Sequence, residues 1–263
     1  MSARRRARGW GLGVYTAAVF AFLFVPVLMV VLFSFNKTAS FTFPFHGWSL
    51  QWYRAVFDSP DYRGAIWASL KVAFVTVAIV ASIGTLAAIA VTRHSSRGRE
   101  ALRSILLVPA ALPGLFLGIA LLSLFIRTKT DLSLGTAAVG HVIYTLPYFF
   151  LVASSRLLRF DPLLEESARD LGASSWTTFR KVTLPIIAPA LIAGALVVFS
   201  LSWDEVLITF FTIGSQNTLP LLIYSKVKQA SDPSINAIST LLLFGSLVFI
   251  VGVRKFVVDS SNE

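Results

Sequence analysis

Apolar residues in this chain come in long uninterrupted runs, separated by short polar segments. A helix rising about 1.5 Å per residue needs about 20 residues to cross a hydrocarbon layer of about 30 Å. Runs of that length fall near Gly13–Phe33, Gly64–Val91, Ser104–Ile126, Leu134–Ser155, Ile186–Ile208 and Ile238–Val253. The pattern predicts an all-α chain with about six membrane-spanning helices. The last two are the least sharply bounded at their outer ends, because apolar residues continue past Asp204 into VLITFFTIG. The first run follows RRRAR as a secretory leader would, but it exceeds the roughly 7–15 apolar residues of such a leader, which predicts a retained helix.

The segments between the runs are short. The longest are Asn36–Arg63, Arg156–Lys181 and Thr212–Ala237, and none reads as a linker between domains. The organisation expected is a basic N-terminus (1–12), a membrane domain (13–255, with its core from about 60) and a short tail (256–263). In the first outer loop Trp48, Trp52, Tyr53 and Phe57 suit a short amphipathic helix at the membrane surface, where Trp and Tyr concentrate. Proline and glycine crowd the third run (VPAALPGLFLG), Pro147 lies in the fourth, and Pro185 and Pro189 open the fifth. Each proline removes a backbone hydrogen bond and bends its helix, which a bundle tolerates when neighbours re-satisfy the freed groups.

Composition agrees with the runs. The chain is 56% hydrophobic and 14% charged, with a mean hydropathy of +0.75, against roughly 45–50% apolar in soluble domains. Cysteine is absent, which removes disulfides, thiolate nucleophiles and cysteine-ligated zinc. His46, His94 and His141 are far apart and carry no metal-ligand spacing.

The net charge of +10 reports orientation once its members are placed, and gives no indication of nucleic acid. Fifteen Lys and Arg fall on the side holding both termini: Arg4, Arg5, Arg6, Arg8, Arg93, Arg97, Arg99, Arg103, Arg156, Arg159, Arg169, Arg180, Lys181, Arg254 and Lys255. Seven fall on the other (Lys37, Arg54, Arg63, Arg127, Lys129, Lys226, Lys228), and Lys71 lies just inside the second run. The Lys/Arg-rich side of a membrane protein is cytoplasmic, so both termini and the Arg156–Lys181 loop are expected there.

That loop carries DPLLEESARDLGASSWTTFRKV, which reads as two short helices meeting at Gly172. Asp161 suits an N-cap, Pro162 the first helical position, and Glu165 and Glu166 the first turns. Gly172 suits the left-handed residue that closes a helix, and Ser174 or Ser175 can cap the next. Ala168, Gly172 and Ala173 keep the elbow narrow. Such an elbow is either a docking handle for another protein or a solvated loop.

The fifth run ends in FSLSWDEVLITFF. Eighteen residues from Ile186 place Asp204 about 27 Å along the helix, towards the outer leaflet. Ser200, Ser202 and Thr209 stand three or four residues from one or other acid, which predicts hydroxyls beside both carboxylates, and Trp203 adds a π face. Carboxylates with an aromatic face attract cations, which makes Ser200, Trp203, Asp204 and Glu205 candidates for a translocation path. The competing view has the two acids solvated at the interface, or paired with Lys226 or with a partner chain. His141 in the fourth run is either a hydrogen-bonded packing residue or part of the same cavity.

Three classes remain to be compared. An embedded enzyme is the weakest, for no paired-histidine metal motif, G-x-S-x-G or base–nucleophile pair stands in a run. A self-sufficient secondary transporter predicts coupling groups near mid-membrane and discontinuous helices in both halves, and neither pattern is evident. A pathway subunit powered by another protein predicts a docking elbow and no nucleotide machinery. No Gly-Lys dipeptide occurs, so the usual phosphate-loop lysine is missing.

The elbow resembles the cytoplasmic signature of ATP-binding-cassette importer permeases: Glu-Ala-Ala, three residues, Gly, nine residues, Ile, one residue, Leu-Pro. Here Glu166, Ser167 and Ala168 are followed after three residues by Gly172, and after nine more by Val182, Thr183, Leu184 and Pro185. Ser167 and Val182 depart from the pattern by small changes of volume. YTAAVFAFLFVPVLMVVLFSFN, SSRLLRFDPLLEESARDLGAS, LSWDEVLITFF and LPLLIYSKVK are similar, in order and spacing, to landmarks of the spermidine/putrescine-type permeases. Related importers for iron, sulfate and other small solutes share much of this outline.

The resemblance implies a type I importer permease fold in a bacterial inner membrane, with Glu165, Glu166, Ala168, Asp170, Gly172, Ala173, Leu184 and Pro185 coupling the chain to an ATPase. It also implies the partners: two copies of an ATPase subunit, a second permease subunit that is expected to be a different chain, and an extracytoplasmic solute-binding protein. No cofactor is expected on this chain itself, ATP and Mg being used by the partner ATPase.

Overall fold

Backbone inside hydrocarbon must satisfy its own hydrogen bonds, and a helix does so within one segment. A computed structural model describes the backbone of residues 2–39, 44–93, 98–228 and 232–259, and the side chains of 12–39, 44–93, 98–228 and 232–248. Arg97, His94 and the tail beyond 259 lie outside the described residues, as do the side chains of Arg4, Arg5, Arg6, Arg8, Arg254 and Lys255. In chain order the α-helices described are α1 (Ser2–Ser34), α2 (Gln51–Asp58), α3 (Pro60–Arg93), α4 (Gly98–Ala111), α5 (Gly114–Arg127), α6 (Leu134–Leu158), α7 (Leu163–Asp170), α8 (Ser175–Thr178), α9 (Leu184–Trp203), α10 (Leu207–Thr212), α11 (Leu219–Lys228) and α12 (Ser234–Asp259). A π-helical turn, Phe179–Thr183, joins α8 to α9.

Two compact units emerge, Met1–Arg63 with Ser225–Glu263, and Gly64–Tyr224. In the first, α12 packs against α1 and α2. The loop after α1 folds back on it: Asn36 bridges to Trp48, Trp52 donates its indole N–H to the Asn36 carbonyl (2.8 Å), and the Tyr53 and Ser34 hydroxyls bond (2.7 Å). The amphipathic helix expected from the loop's aromatics is α2. At the other end of this unit Lys226 holds Asp232 at 2.6 Å, and Asp232 in turn accepts from Ser234. Burial alone would raise the Asp232 carboxyl, but the hydrogen bonds from Lys226 and Ser234 outweigh it and hold the group below the usual carboxylate range. The same hydrogen bond, donated by Lys226 to Asp232, lifts the Lys226 ammonium above its ordinary value.

The core of the second unit lies where α3, α6 and α9 meet, built from Val80, Ala88, Val91, Phe149, Phe150, Ala153, Leu157, Phe160, Ile187 and Val198. Phe149 is fully buried and its ring is gripped by two glycines. A Cβ on Gly84 of α3 would stand 2.5 Å from the ring, and one on Gly194 of α9 3.0 Å. Small residues let membrane helices approach closely, and here they let one aromatic fill the gap among three.

Against the six spans expected, four helices among the described residues are long and apolar enough to cross a bilayer: Leu12–Ser34, Pro60–Arg93, Leu134–Leu158 and Ser175–Trp203. The last helix, α12, runs 26 residues, about 39 Å at the standard rise. The third expected span is not one straight helix. Its run divides into α4 and α5, which meet at an angle of 107°. Pro109 and Pro113 are the cause: neither has an N–H to give, and a residue before proline is driven out of the helical region, so the helix stops at Ala111.

The fifth span also differs from expectation. It begins in the elbow, since α8, the π turn and α9 form one continuous helix from Ser175, and it ends at Trp203 instead of continuing to Ile208. The π turn lies just before Pro185, whose missing N–H would have left a gap in an α-helical ladder. The elbow's second helix is therefore the first turn of the fifth span.

Candidate functional site

At the elbow, α7 closes as its sequence predicts. Gly172 has φ +86°, Ala173 N–H reaches back to the Ala168 carbonyl (3.0 Å) and Gly172 N–H to that of Arg169 (2.8 Å). Those two bonds are the paired closure of a helix by a left-handed residue. Ser174 then accepts from the Thr177 N–H and starts the next helix. At the other end the Asp161 carboxylate accepts from Leu163 N–H (3.0 Å), but the cap residue is Pro162 and not Asp161, so the helix starts one residue later than expected.

No side chain of α7 is buried. Glu166, Arg169, Asp170 and Gly172 are exposed, and so are four large apolar residues: Leu163, Leu164, Leu171 (90% exposed) and Trp176 (67%). None of these four belongs to the signature that marks the loop in the sequence. Their signal was present, for leucine and tryptophan beside a polar turn with nothing to bury them are out of place on a solvated loop.

Glu165, by contrast, turns inward. Its Oε1 accepts from Arg93 Nη2 at the end of α3 (3.1 Å) and from Thr183 Oγ1 at the root of α9 (2.6 Å). A cavity of about 410 Å3 opens beside this junction, lined by Arg93, Glu165, Glu166, Arg169, Thr178 and Thr183 among others. The Arg93 partner lies 72 residues away and left no trace in the sequence. Leu184 and Pro185 open α9, the latter on its exposed face, while Ala168 and Ala173 are half-buried at the bend.

At the far end of α9 the chain breaks over Asp204–Val206 and restarts as α10. The two acids separate in role. Glu205 Oε1 accepts the Ile208 N–H (2.8 Å), capping α10, and sits half-buried. Asp204 is exposed, and among the described residues its carboxylate enters no hydrogen bond or ion pair. Lys226, the cation considered for these acids, is occupied by Asp232. Asp204 ends an exposed stripe of α9 that runs through Pro185, Pro189, Ala193, Val197 and Ser200. Trp203 stacks on Phe199 (5.9 Å, 16° between planes), and Phe199 meets Phe74 of α3 at 5.4 Å.

Of the three hydroxyls expected beside the carboxylates, Ser200 stays on the exposed stripe one turn before Asp204 and the other two go elsewhere. Ser202 and Thr209 both turn to His141, at 2.7 Å from Nδ1 and 2.8 Å from Nε2. The helix break is the reason: with α9 ending at Trp203, the Glu205 carboxylate turns to the Ile208 N–H, and the Thr209 hydroxyl reaches the Glu205 carbonyl (2.9 Å) instead of its carboxylate. His141 is buried, both ring nitrogens are satisfied, and it ties α6 to α9 and α10 as a packing residue. Ile208 seats α10 against α6, where a Cβ on Gly140 would stand 2.6 Å from it.

A long helix with a tightly closed elbow at one end and an exposed carboxylate at the other, in a chain of membrane helices, suits a transport permease. The chain belongs to the family described as binding-protein-dependent transport system inner membrane component, whose model matches residues 80–257. Over 251 residues, 95% of each chain, it is 33% identical to the spermidine/putrescine transport system permease protein PotC of Escherichia coli (strain K12). Over 232 residues, 85% of this chain and 82% of the relative, it is 36% identical to the putrescine transport system permease protein PotI of the same organism. Among solved structures, a chain of a bacterial ABC transporter involved in the import of the acidic polysaccharide alginate superposes with a TM-score of 0.77 at 16% identity, covering 97% of this chain and 98% of that one. The fold is thus that of ABC importer permeases, and the protein is a multi-pass membrane protein.

Proposed function

We propose that this chain is one half of the translocation path of an ATP-driven importer in a bacterial inner membrane, and that its solute is a polyamine of the spermidine/putrescine class. The observation that carries the reading is the elbow. A rigidly closed helix pair that exposes Leu171 and Trp176 beside Glu166 and Asp170 has the character of an interface, with apolar knobs inside a charged rim. Its occupant is the ATPase subunit, of which two copies serve two permease chains, the second chain being a different one. An extracytoplasmic binding protein delivers the solute. ATP and Mg belong to the ATPase, and this chain holds no cofactor of its own.

The mechanism follows from the continuity of the fifth span. Closure of the ATPase pair displaces the elbow, and the displacement passes through α8, the π turn and Pro185 along one helix to Asp204, about 43 Å away at the standard rise. The exposed stripe ending in Ser200 and Asp204 lines the path, and a single unpaired carboxylate beside the Phe199–Trp203 stack draws an amine cation off the binding protein. Similarity to PotC and PotI supports the polyamine as cargo.

The test is purification through a tag on this chain, followed by reconstitution in proteoliposomes with ATP and Mg. Putrescine and spermidine are expected to accumulate, and Asp204→Asn to reduce uptake at least tenfold while the ATPase stays bound and active. Accumulation of a non-cationic solute instead, or undiminished polyamine uptake by Asp204→Asn, refutes the polyamine path.

A further inference from the structure

We propose that Glu165 is the internal pin of the elbow, fastening α7 through Arg93 to α3 and through Thr183 to α9, so that one displacement of the elbow moves two membrane helices together. This rests on the elbow being the ATPase docking site, and it assigns to Glu165 a role distinct from that of its neighbour Glu166.

Three elements converge on one oxygen. Glu165 Oε1 receives both the Arg93 guanidinium and the Thr183 hydroxyl. The ion pair is mostly shielded, with side-chain exposures of 20% and 16%, and Thr183 is buried. Arg93 is the last residue of α3, where a cation is favoured by the helix dipole, and Glu165 lies in the first turn of α7, where an anion is favoured. The Arg93 guanidinium also covers the Phe160 ring at 4.8 Å, which fixes the segment entering α7. The pin is consequently held from both ends by fields and packing already in place.

Nothing else on α7 does this work. None of its side chains is buried, and among the described residues none but Glu165 makes a hydrogen bond or ion pair to another helix. Without Glu165, α7 still packs on the π turn and α8 at the root of the fifth span but keeps no polar tie to α3. A pull on it would still reach α9, which is continuous with the elbow, but would reach α3 no longer. The two spans share the Phe149 contact, and moving one without the other strains that core. Glu166 is exposed, its carboxylate enters no hydrogen bond or ion pair among the described residues, and it is left for the partner. Glu165 is thus a positioning residue for energy coupling and not a contact residue.

The experiment compares wild type, Glu165→Gln, Arg93→Leu and the exchanged pair Arg93→Glu/Glu165→Arg, each in the complete complex. Co-purification of the ATPase reads docking, and ATP hydrolysis and putrescine uptake are measured in the same proteoliposomes. Both single variants are expected to retain the ATPase and hydrolyse ATP within about twofold of wild type, while putrescine moved per ATP falls at least tenfold. The exchanged pair is expected to recover a large part of that ratio. Because the chain has no cysteine, spin labels on Ser167→Cys and Ala90→Cys report the α7–α3 distance directly. That distance should be the same with and without ATP in wild type, and should change with ATP in Glu165→Gln. An unchanged uptake ratio, uptake and hydrolysis lost in parallel with assembly, or an α7–α3 distance indifferent to Glu165→Gln would each overturn the pin. If wild type itself retains no ATPase, the docking reading fails, and the pin fails with it.

Discussion

Gly172 offers the sharpest test of the elbow, because its replacement perturbs one thing only. The residue has φ +86°, and a Cβ built on it meets nothing within 4 Å. A side chain there therefore collides with no neighbour, and the whole cost falls on the backbone. Placing an L-residue in the left-handed region costs about 1–2 kcal/mol, which lowers the population of the closed elbow relative to its alternatives by about 5- to 30-fold. Asn tolerates that region better than Ala does. If the ATPase grips only the closed form, its apparent Kd rises by the same factor. The expected order is Gly172, then Gly172→Asn, then Gly172→Ala, with Gly172→Val the weakest because its branched Cβ suits the left-handed region least. The assay is titration of the purified ATPase onto the permease in detergent, with helix content followed by circular dichroism to show that the bundle is intact. Equal affinity of wild type, Gly172→Asn and Gly172→Ala would refute the argument, for it would mean that the closed turn is not what the partner binds.

Two further outcomes follow from the packing and the charges. Gly84→Val should destabilise the bundle by about 1–3 kcal/mol through overpacking, since its Cβ would lie 2.5 Å from a Phe149 ring held on its other side by Gly194. It should lower Tm in detergent, and Phe149→Leu in the same chain should restore part of the loss. Asp232 sits below its ordinary pKa and Lys226 above its own, so their pairing contributes between the two ordinary values, about pH 4 and about pH 10. The Tm difference between wild type and Asp232→Asn should accordingly be constant across neutral pH and shrink as pH falls through the depressed Asp232 value. A gap that instead grows on acidification would refute that sign.

Local chemistry carried much of the elbow. Gly172 with Ala173 and Ser174 specify a left-handed closure and a new cap by rules acting within a few residues, and those parts stand where the sequence puts them. The surroundings of Glu205 differ from those its spacing predicts. Side-chain spacing assumes a helix that continues, and Trp203 is where it stops, so Ser202 and Thr209 turn to His141 and Glu205 turns to the Ile208 N–H. The break followed from no single residue in the run. It depends on α10 being seated against Gly118 and Gly140, contacts that exist only after α5 and α6 have packed.

By itself the sequence determined that the chain lives in lipid as helices and that one polar loop is built to close tightly. Each of these depends on hydropathy or backbone preference summed over neighbouring residues. Tertiary structure alone decided that the third run bends by 107°, that the elbow and the fifth span are one helix, that His141 is a packing residue and that Glu165 meets Arg93 across 72 positions. Those facts depend on which distant surfaces come into contact. A hydrogen bond between partners so far apart has no local signature, because its energy exists only once the helices that carry them have packed.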